Sequence, residues 1–420
     1  MPFRKRIALI LVLLLLLLLL PADTIPADKA LDYQVAALVS DRGFNLALWE
    51  VGALTSKLKD LVVPAAHLDD AAARQLVLDY VLTARRIGEL KGTITRVLSD
   101  PQQPDPERAI AAWQAELLRL RRRQAERRNV VEAILESQTA TVLAEEGLTA
   151  LGLLWPPLKF QFSEPPLYLI VSPRQKIALR KGVNLRADLS LTEREYTEAA
   201  VDSRLPDHVS LVEDIGGFGG AYPTMVIDNA SLSWILSTIA HEWTHNYLAF
   251  RPLGWHYFDD SDTVTLNETV ASIVGDEIGA CVLETYYPQQ MPAPRPSGSQ
   301  VCPLRIPELV PPRFDFNREM RRTRLQVDRL LAEGRVAEAE AFMEAQRQRF
   351  VAHGYALRKL NQAYFAFHGS YATAASAVDP IGPKMTSLRR ASPSLRVFLE
   401  TVSRFTRVED LDRALAEIEG

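Results

Sequence analysis

His241-Glu242-Trp243-Thr244-His245 is the stretch from which the rest of the chain is read. On an α-helix, residues four apart lie one turn apart on the same face. His241 and His245 can therefore offer two imidazole nitrogens to one metal ion. Glu242 stands about 100° further round the helix, beside such an ion rather than on it. That placement suits a carboxylate that takes a proton from a water activated at the metal. The surrounding pattern is helical. Asp228 and Asn229 are the expected N-cap residues. Leu232, Ile235, Leu236, Ile239, Trp243, Tyr247 and Leu248 recur at helical spacing and give a buried face. Directly upstream, residues 221–227 read as a strand entered through Gly216, Gly217, Gly219 and Gly220. An exposed strand running into such a helix is a natural place to lay an extended peptide. Gly220, Ala221 and Tyr222 are thus the expected substrate-binding residues.

Catalytic zinc takes three protein ligands and keeps one position open, so two histidines leave the site incomplete. The metzincin pattern would put Gly at 248 and His at 251; Leu248 and Arg251 exclude that class. Glu268, in Leu266-Asn267-Glu268-Thr269-Val270-Ala271, follows His245 by 23 residues and is expected to open a second helix. The two segments together resemble the gluzincins, thermolysin-like and aminopeptidase-type zinc peptidases in which an Asn-Glu-x-x-Ala/Ser segment on the next helix gives the third ligand. The gap here is a few residues longer than in that pattern. The resemblance implies one Zn2+ held by His241, His245 and Glu268, with Glu242 as general base in peptide-bond hydrolysis. Other readings stay open. Glu268 lies three residues after Thr265, a capping-box spacing. Asp276 or Glu277, two turns on, could replace it or orient a histidine. Asp259, Asp260, Asp262 and His256 are weaker candidates. The His pair and Glu242 could also be ordinary buried polar groups held by hydrogen bonds and an ion pair.

A later stretch, Leu360 to Tyr371, puts two tyrosines and His368 on neighbouring turns of a helix expected over 356–375. Asn361, Ala363 and Tyr371 match the later segment of a bacterial family of predicted aminopeptidases, which the chain resembles over about 210–410. The resemblance implies Tyr371 or His368 as donor to the oxyanion formed when water attacks the carbonyl. The alternative is that these aromatics pack a core.

The rest of the chain frames this centre. Its 420 residues are 47% hydrophobic and 24% charged, ordinary for a globular protein, and the net charge of −4 argues against nucleic acid as a partner. Arg4, Lys5 and Arg6 precede the apolar run Ile7–Leu20. Residues 1–25 are thus a signal peptide or a membrane anchor, a transmembrane helix if uncleaved. Either way the remainder faces outward, membrane-anchored or secreted. Residues 29–150 read as a helical hairpin or bundle, ending in a long helix from Glu107 to Glu146 with an arginine-rich middle. A zincin-like catalytic unit follows over 151–287, with strands at 167–171 and 209–212 and a helix at 191–203 ahead of the metal helix. Residues 288–312 are a proline-rich excursion. Cys281 and Cys302, the only cysteines, could bridge it as a disulfide or stand as two thiols. Residues 313–420 form a C-terminal helical subdomain that completes the cleft, with helices at 318–331 and 336–349. The expected fold class is α+β, mainly helical. The expected activity is zinc-dependent hydrolysis of a peptide or protein outside the cytoplasm. Its rivals are a zinc hydrolase for another amide, such as one in a cell-wall fragment, and a non-catalytic membrane-tethered scaffold. Glu213, Asp214 or Glu277 could anchor a free amino terminus.

Overall fold

Two long helices dominate the described part of the first 150 residues. The computed structural model describes residues 30–62, 68–98, 105–150, 152–218, 220–290, 314–369 and 380–419, and among these the protein is mainly helical with small sheets. α1 (Ala30–Leu38) and α2 (Leu46–Val62) lead to α3 (Asp70–Leu98) and α4 (Pro106–Glu145). α4 starts where Asp105 accepts a hydrogen bond from the Arg108 amide, and Pro106 fills the first turn, where a missing N–H costs nothing. α3 and α4 pack as a hairpin. Arg123 and Arg127 of α4 reach Asp79 of α3 at 3.8 and 3.7 Å.

Among the described residues no helix is long and apolar enough to cross a membrane. This corrects the expectation of a transmembrane helix. The helices long enough to span one, α3, α4 and the later helix Ser261–Tyr286, carry charges along their length that hydrocarbon would not accommodate. The segment 1–25, read as signal or anchor, lies outside the described residues, as does most of the proline-rich stretch 288–312.

Eight short strands follow. β1 (Thr149–Ala150) and β2 (Leu153–Leu154) make a hairpin. β3 (Phe160–Phe162), β4 (Leu167–Pro173) and β5 (Lys181–Leu185) precede α5 (Leu191–Arg204), which opens with a Ser190–Glu193 capping box. β6 (His208–Asp214), β7 (Gly217–Phe218) and β8 (Thr224–Val226) come next. One sheet has the order β5-β4-β6 and is antiparallel. The other has the order β3-β8-β7, with β3 parallel and β7 antiparallel to β8. The strand expected over 221–227 is therefore only 224–226 and is the central one, with both edges already paired.

Most strand edges are closed by side chains or loops. Outward amides of β3 donate to α4: Phe160 N to Glu136 Oε1 (3.1 Å) and Phe162 N to Glu132 Oε1 (2.7 Å). Lys57 of α2 neutralises both carboxylates at 2.9 and 2.7 Å. On β6, the Val212 amide donates to Glu198 (2.6 Å), while Arg358 donates to its carbonyl (2.8 Å). The outer side of β5 takes the Phe44 amide on the Asn184 carbonyl. Such coverings keep an edge from recruiting another chain. β7 forms the remaining edge.

α6 (Leu232–Leu248) carries the His-Glu-x-x-His segment, and its expected apolar face is buried. Its N-cap is Ser231, which accepts from the Trp234 amide (3.2 Å), rather than Asp228 or Asn229. Asp228 instead takes hydrogen bonds from Tyr80 Oη (2.9 Å) and Gln124 Nε2 (2.8 Å), tying the α3–α4 hairpin to this region. After the short α7 (Pro252–Trp255), α8 (Ser261–Tyr286) lies along α6. Gly275 and Gly279, one turn apart on α8, let the two backbones approach. A Cβ on Gly275 would come within 2.7 Å of the Ser237 carbonyl oxygen and 2.9 Å of His241 Cβ.

The C-terminal helices close the molecule from two sides. α9 (Phe316–Ala332), α10 (Val336–Ala352) and α11 (Gln362–His368) share a core with Ile170 of β4 and Leu211 of β6. α12 (Ile381–Ala391), α13 (Leu395–Val402) and α14 (Glu409–Glu419) join the main core around α6 and α8. The helix expected over 356–375 starts only at Gln362, because Asn361 caps it by accepting from the Tyr364 amide (3.0 Å).

Candidate metal centre

α6 and α8 bring three ligand atoms together. His245 Nε2 and His241 Nε2 are 3.0 Å apart. Glu268 Oε2 lies 3.4 Å from His241 Nε2 and 3.5 Å from His245 Nε2. Glu268 does not cap its helix: α8 begins two turns earlier, capped by Asp260, and Glu268 is buried in its interior. Its Oε2 is buried without a hydrogen-bond partner, a costly arrangement for a carboxylate oxygen. In a tetrahedral site with ligands about 2.0–2.1 Å from the metal, the donor atoms are roughly 3.3–3.4 Å apart. The triangle fits that requirement. His241, Glu242 and His245 also form a group able to hold a metal ion, their ligand atoms all within 4.8 Å of one another. The triangle made with Glu268 is tighter, and Glu242 stands beside it.

The charges of these side chains act strongly on one another. Burial opposes charge on His245, but the Glu268 carboxylate overrides it and lifts the imidazole pKa to about 9. Burial likewise opposes charge on Glu268, yet His245 and His241 hold its carboxyl far below the ordinary range. Glu242 is pushed up by burial, with the two imidazoles partly offsetting this. It therefore holds a proton more readily than a surface glutamate does.

Neighbouring groups fix the orientation of these side chains. Asn267 Oδ1 lies 2.9 Å from His245 Nδ1, and Asn267 Nδ2 donates to the Leu253 carbonyl (3.4 Å). The amide is thus turned so that Nδ1–H donates and Nε2 keeps its lone pair for a metal. Tyr257 donates its hydroxyl hydrogen to Glu268 Oε1 (2.6 Å), which leaves Oε2 for the triangle. Gly217 of β7 lies over Glu242: a Cβ there would come within 2.1 Å of Glu242 Oε1. The sequence offers Asn267 with no role and Gly217 only as an entry to the strand, and nothing in it marks Tyr257. A signal existed for the helix pairing, since Gly275-Asp-Glu-Ile-Gly279 has the small-x-x-x-small spacing of closely packed helices.

Other expected site residues fall elsewhere. Glu277 points away from the centre into a buried pair with Arg389 of α12, at 2.6 and 2.9 Å; it anchors α12 and does not serve His241 or His245. Asp276 lies in the field of His241, which partly offsets the rise that burial causes in its pKa. Ala221 is buried, and Tyr222 is tied through its amide to Glu50 (3.1 Å) and through its hydroxyl to the Pro157 carbonyl (3.1 Å). With β8 paired on both sides, Gly220, Ala221 and Tyr222 do not form an open strand edge. His368 faces Glu213 of β6 at 3.5 Å and stacks on Tyr364, 4.2 Å between ring centres. Tyr371 lies outside the described residues. His256 pairs with Asp259 at 2.6 Å. Cys281, on α8, is disulfide-bonded, and Cys302 is the one other cysteine in the chain.

No family model, curated protein or solved structure matches this chain.

Proposed function

We propose that the protein is a zinc-dependent peptide hydrolase of the gluzincin type, with His241, His245 and Glu268 as the ligands. The observation that carries this reading is the convergence of His241 Nε2, His245 Nε2 and the orphaned, buried Glu268 Oε2. Two imidazoles and one carboxylate on a dry, rigid pair of helices are a donor set suited to zinc with a position left open. When bound, zinc supplies Lewis acidity that acidifies water and polarises a carbonyl.

The chain's own residues supply the rest. Glu242 takes the proton of the attacking water and returns it to the leaving amine. Its raised pKa suits it to both halves of that transfer. A peptide is favoured over other amides because β7, the edge strand of its sheet, passes beside Glu242 at Gly217. An extended chain can add there as a further strand, held by main-chain hydrogen bonds. The strand that receives substrate in this reading is β7, not the segment 221–227. The disulfide at Cys281 favours an oxidising compartment outside the cytoplasm.

The test is zinc content and peptide cleavage of the wild type against Glu268→Ala and Glu242→Gln. Glu268→Ala should lose most of its zinc. Glu242→Gln should keep its zinc and lose cleavage by about 10²-fold or more. Full zinc content in Glu268→Ala, or undiminished cleavage by Glu242→Gln, would overturn the reading.

A further inference from the structure

A cavity of about 820 Å³ lies at one end of the β3-β8-β7 sheet. The C-terminal ends of the parallel strands β3 and β8 and the N-terminal end of β7 all point to it: Phe162 and Ser163, Ile227 and Asp228, and Ile215 line its wall. The α3–α4 hairpin closes the other side with Lys91, Arg121, Gln124 and Arg128. Its size is in the range of ligand-binding sites.

The charges do not balance within the wall. Lys91 pairs with Glu164 at 3.1 Å, and Arg194 grips Asp214 through two hydrogen bonds at 2.7 and 3.1 Å. Asp228 Oδ2 already accepts from Tyr80 and Gln124. Among the described residues no carboxylate lies within ion-pair distance of Arg121 or Arg128, although Arg128 interacts electrostatically with Asp228 and hydrogen-bonds to Tyr80. Arg128 Nε is buried without an acceptor, and Gln161 Oε1, on the same wall, is buried without a donor. The cavity thus offers a cationic donor pair and an unused acceptor beside apolar surface from Ile87, Phe162, Leu167 and Ile215.

We infer that this cavity receives an acidic group of the extended chain that lies along β7, at Arg121 and Arg128. The inference rests on the proposed peptide site. Gly217, over Glu242, is two residues from Ile215 at the cavity wall. At about 3.3 Å per residue, the acidic residue falls roughly two to four positions from the scissile bond. A carboxylate there would accept from Arg128 Nε and from Arg121, while its main-chain amide or a neighbouring polar group donates to Gln161 Oε1.

The experiment uses octapeptides in which Glu replaces Gln at each position in turn. Cleavage by the wild type is compared with that by Arg121→Gln and Arg128→Gln, and binding of the same labelled peptides to Glu242→Gln, with and without Arg121→Gln, is followed by fluorescence anisotropy. Arg121 is exposed, so its replacement leaves the fold intact. One window of Glu positions should raise kcat/KM and binding about tenfold, as expected for a charge-assisted hydrogen bond. The gain should vanish in both arginine variants. Cleavage with no Glu preference, or a preference that survives both replacements, overturns the inference while leaving the hydrolase reading standing. Arginine-dependent binding without cleavage of any peptide does the reverse, and neither binding nor cleavage removes both.

Discussion

Gly217 shows how little space the fold leaves around Glu242. Any side chain there meets Glu242 Oε1 at 2.1 Å and Thr238 Cγ2 at 2.9 Å. Thr238 lies on the buried side of α6, so the carboxylate is the group that must move. Gly217→Ala should therefore displace Glu242 by about an ångström and lower peptide cleavage on the order of 10²-fold. Zinc content should be unchanged, because the atoms nearest that Cβ belong to Glu242 and Thr238 and not to His241, His245 or Glu268. Measuring cleavage and metal on the same preparation checks this; zinc loss in step with activity would show that Gly217 supports the ligands instead. The contrast at residue scale with Asn267 is instructive. Asn267 acts on the far nitrogen of His245 and so bears on metal affinity, whereas Gly217 bears on the proton path alone.

At the scale of elements, the spacing between α6 and α8 is set by two glycines. Gly275→Ala would press a methyl on the Ser237 carbonyl at 2.7 Å and on His241 Cβ at 2.9 Å. Backbone atoms inside a packed helix have little room to yield, so the variant should lose about 1–3 kcal/mol of stability and bind zinc more weakly through the shifted His241. Gly52→Ala, in α2, meets nothing within 4 Å and should instead gain about 0.5–1 kcal/mol from helix propensity. Denaturant titration of both, with zinc affinity by competition against a chelator, checks the pair. The helices themselves were legible, since α9 carries strong periodicity and α4, α5 and α9 each open at a capping residue, Asp105, Ser190 and Asp315. His241 and His245 were legible for the same reason: a four-residue spacing is a local property. β3 and β7 were not, because three and two residues are too few to show an alternation. β5, Lys181-Gly-Val-Asn-Leu185, has turn residues at its centre and becomes a strand only because β4 offers a partner. Tyr257 and Gly217 matter only through tertiary approach, which no spacing encodes. The reading of 356–375 as one helix passed over Asn361, whose side chain stops the helix from extending upstream.

For the whole molecule, the question is what holds three helical groups around one sheet pair. The C-terminal group is pinned by Arg358 on Glu198 and by the buried Arg389–Glu277 pair. The N-terminal hairpin is pinned to the start of α6 by Asp228, held by Tyr80 and Gln124. Burial raises the Asp228 pKa above the ordinary carboxylate value, although the Tyr80 hydrogen bond and Arg128 pull the other way. The sign of the linkage follows. With the folded-state pKa above the unfolded one, the folded protein binds the proton more tightly. The resulting stabilisation is fully present below the unfolded value, about 3.9, and is lost as the pH rises through the raised folded value. Asp228→Asn keeps an oxygen to accept from Tyr80 and Gln124 but cannot ionise. Its Tm relative to the wild type should therefore rise steadily from pH 4 to pH 8, level off once Asp228 is ionised in both states, and end above its low-pH value. Thermal unfolding across that range, on metal-loaded protein at fixed ionic strength, is the measurement. A relative Tm that stays flat or falls with pH would mean that Arg128 and Tyr80 outweigh burial, and that the junction between the hairpin and the core around α6 is held by charge rather than by neutral hydrogen bonds.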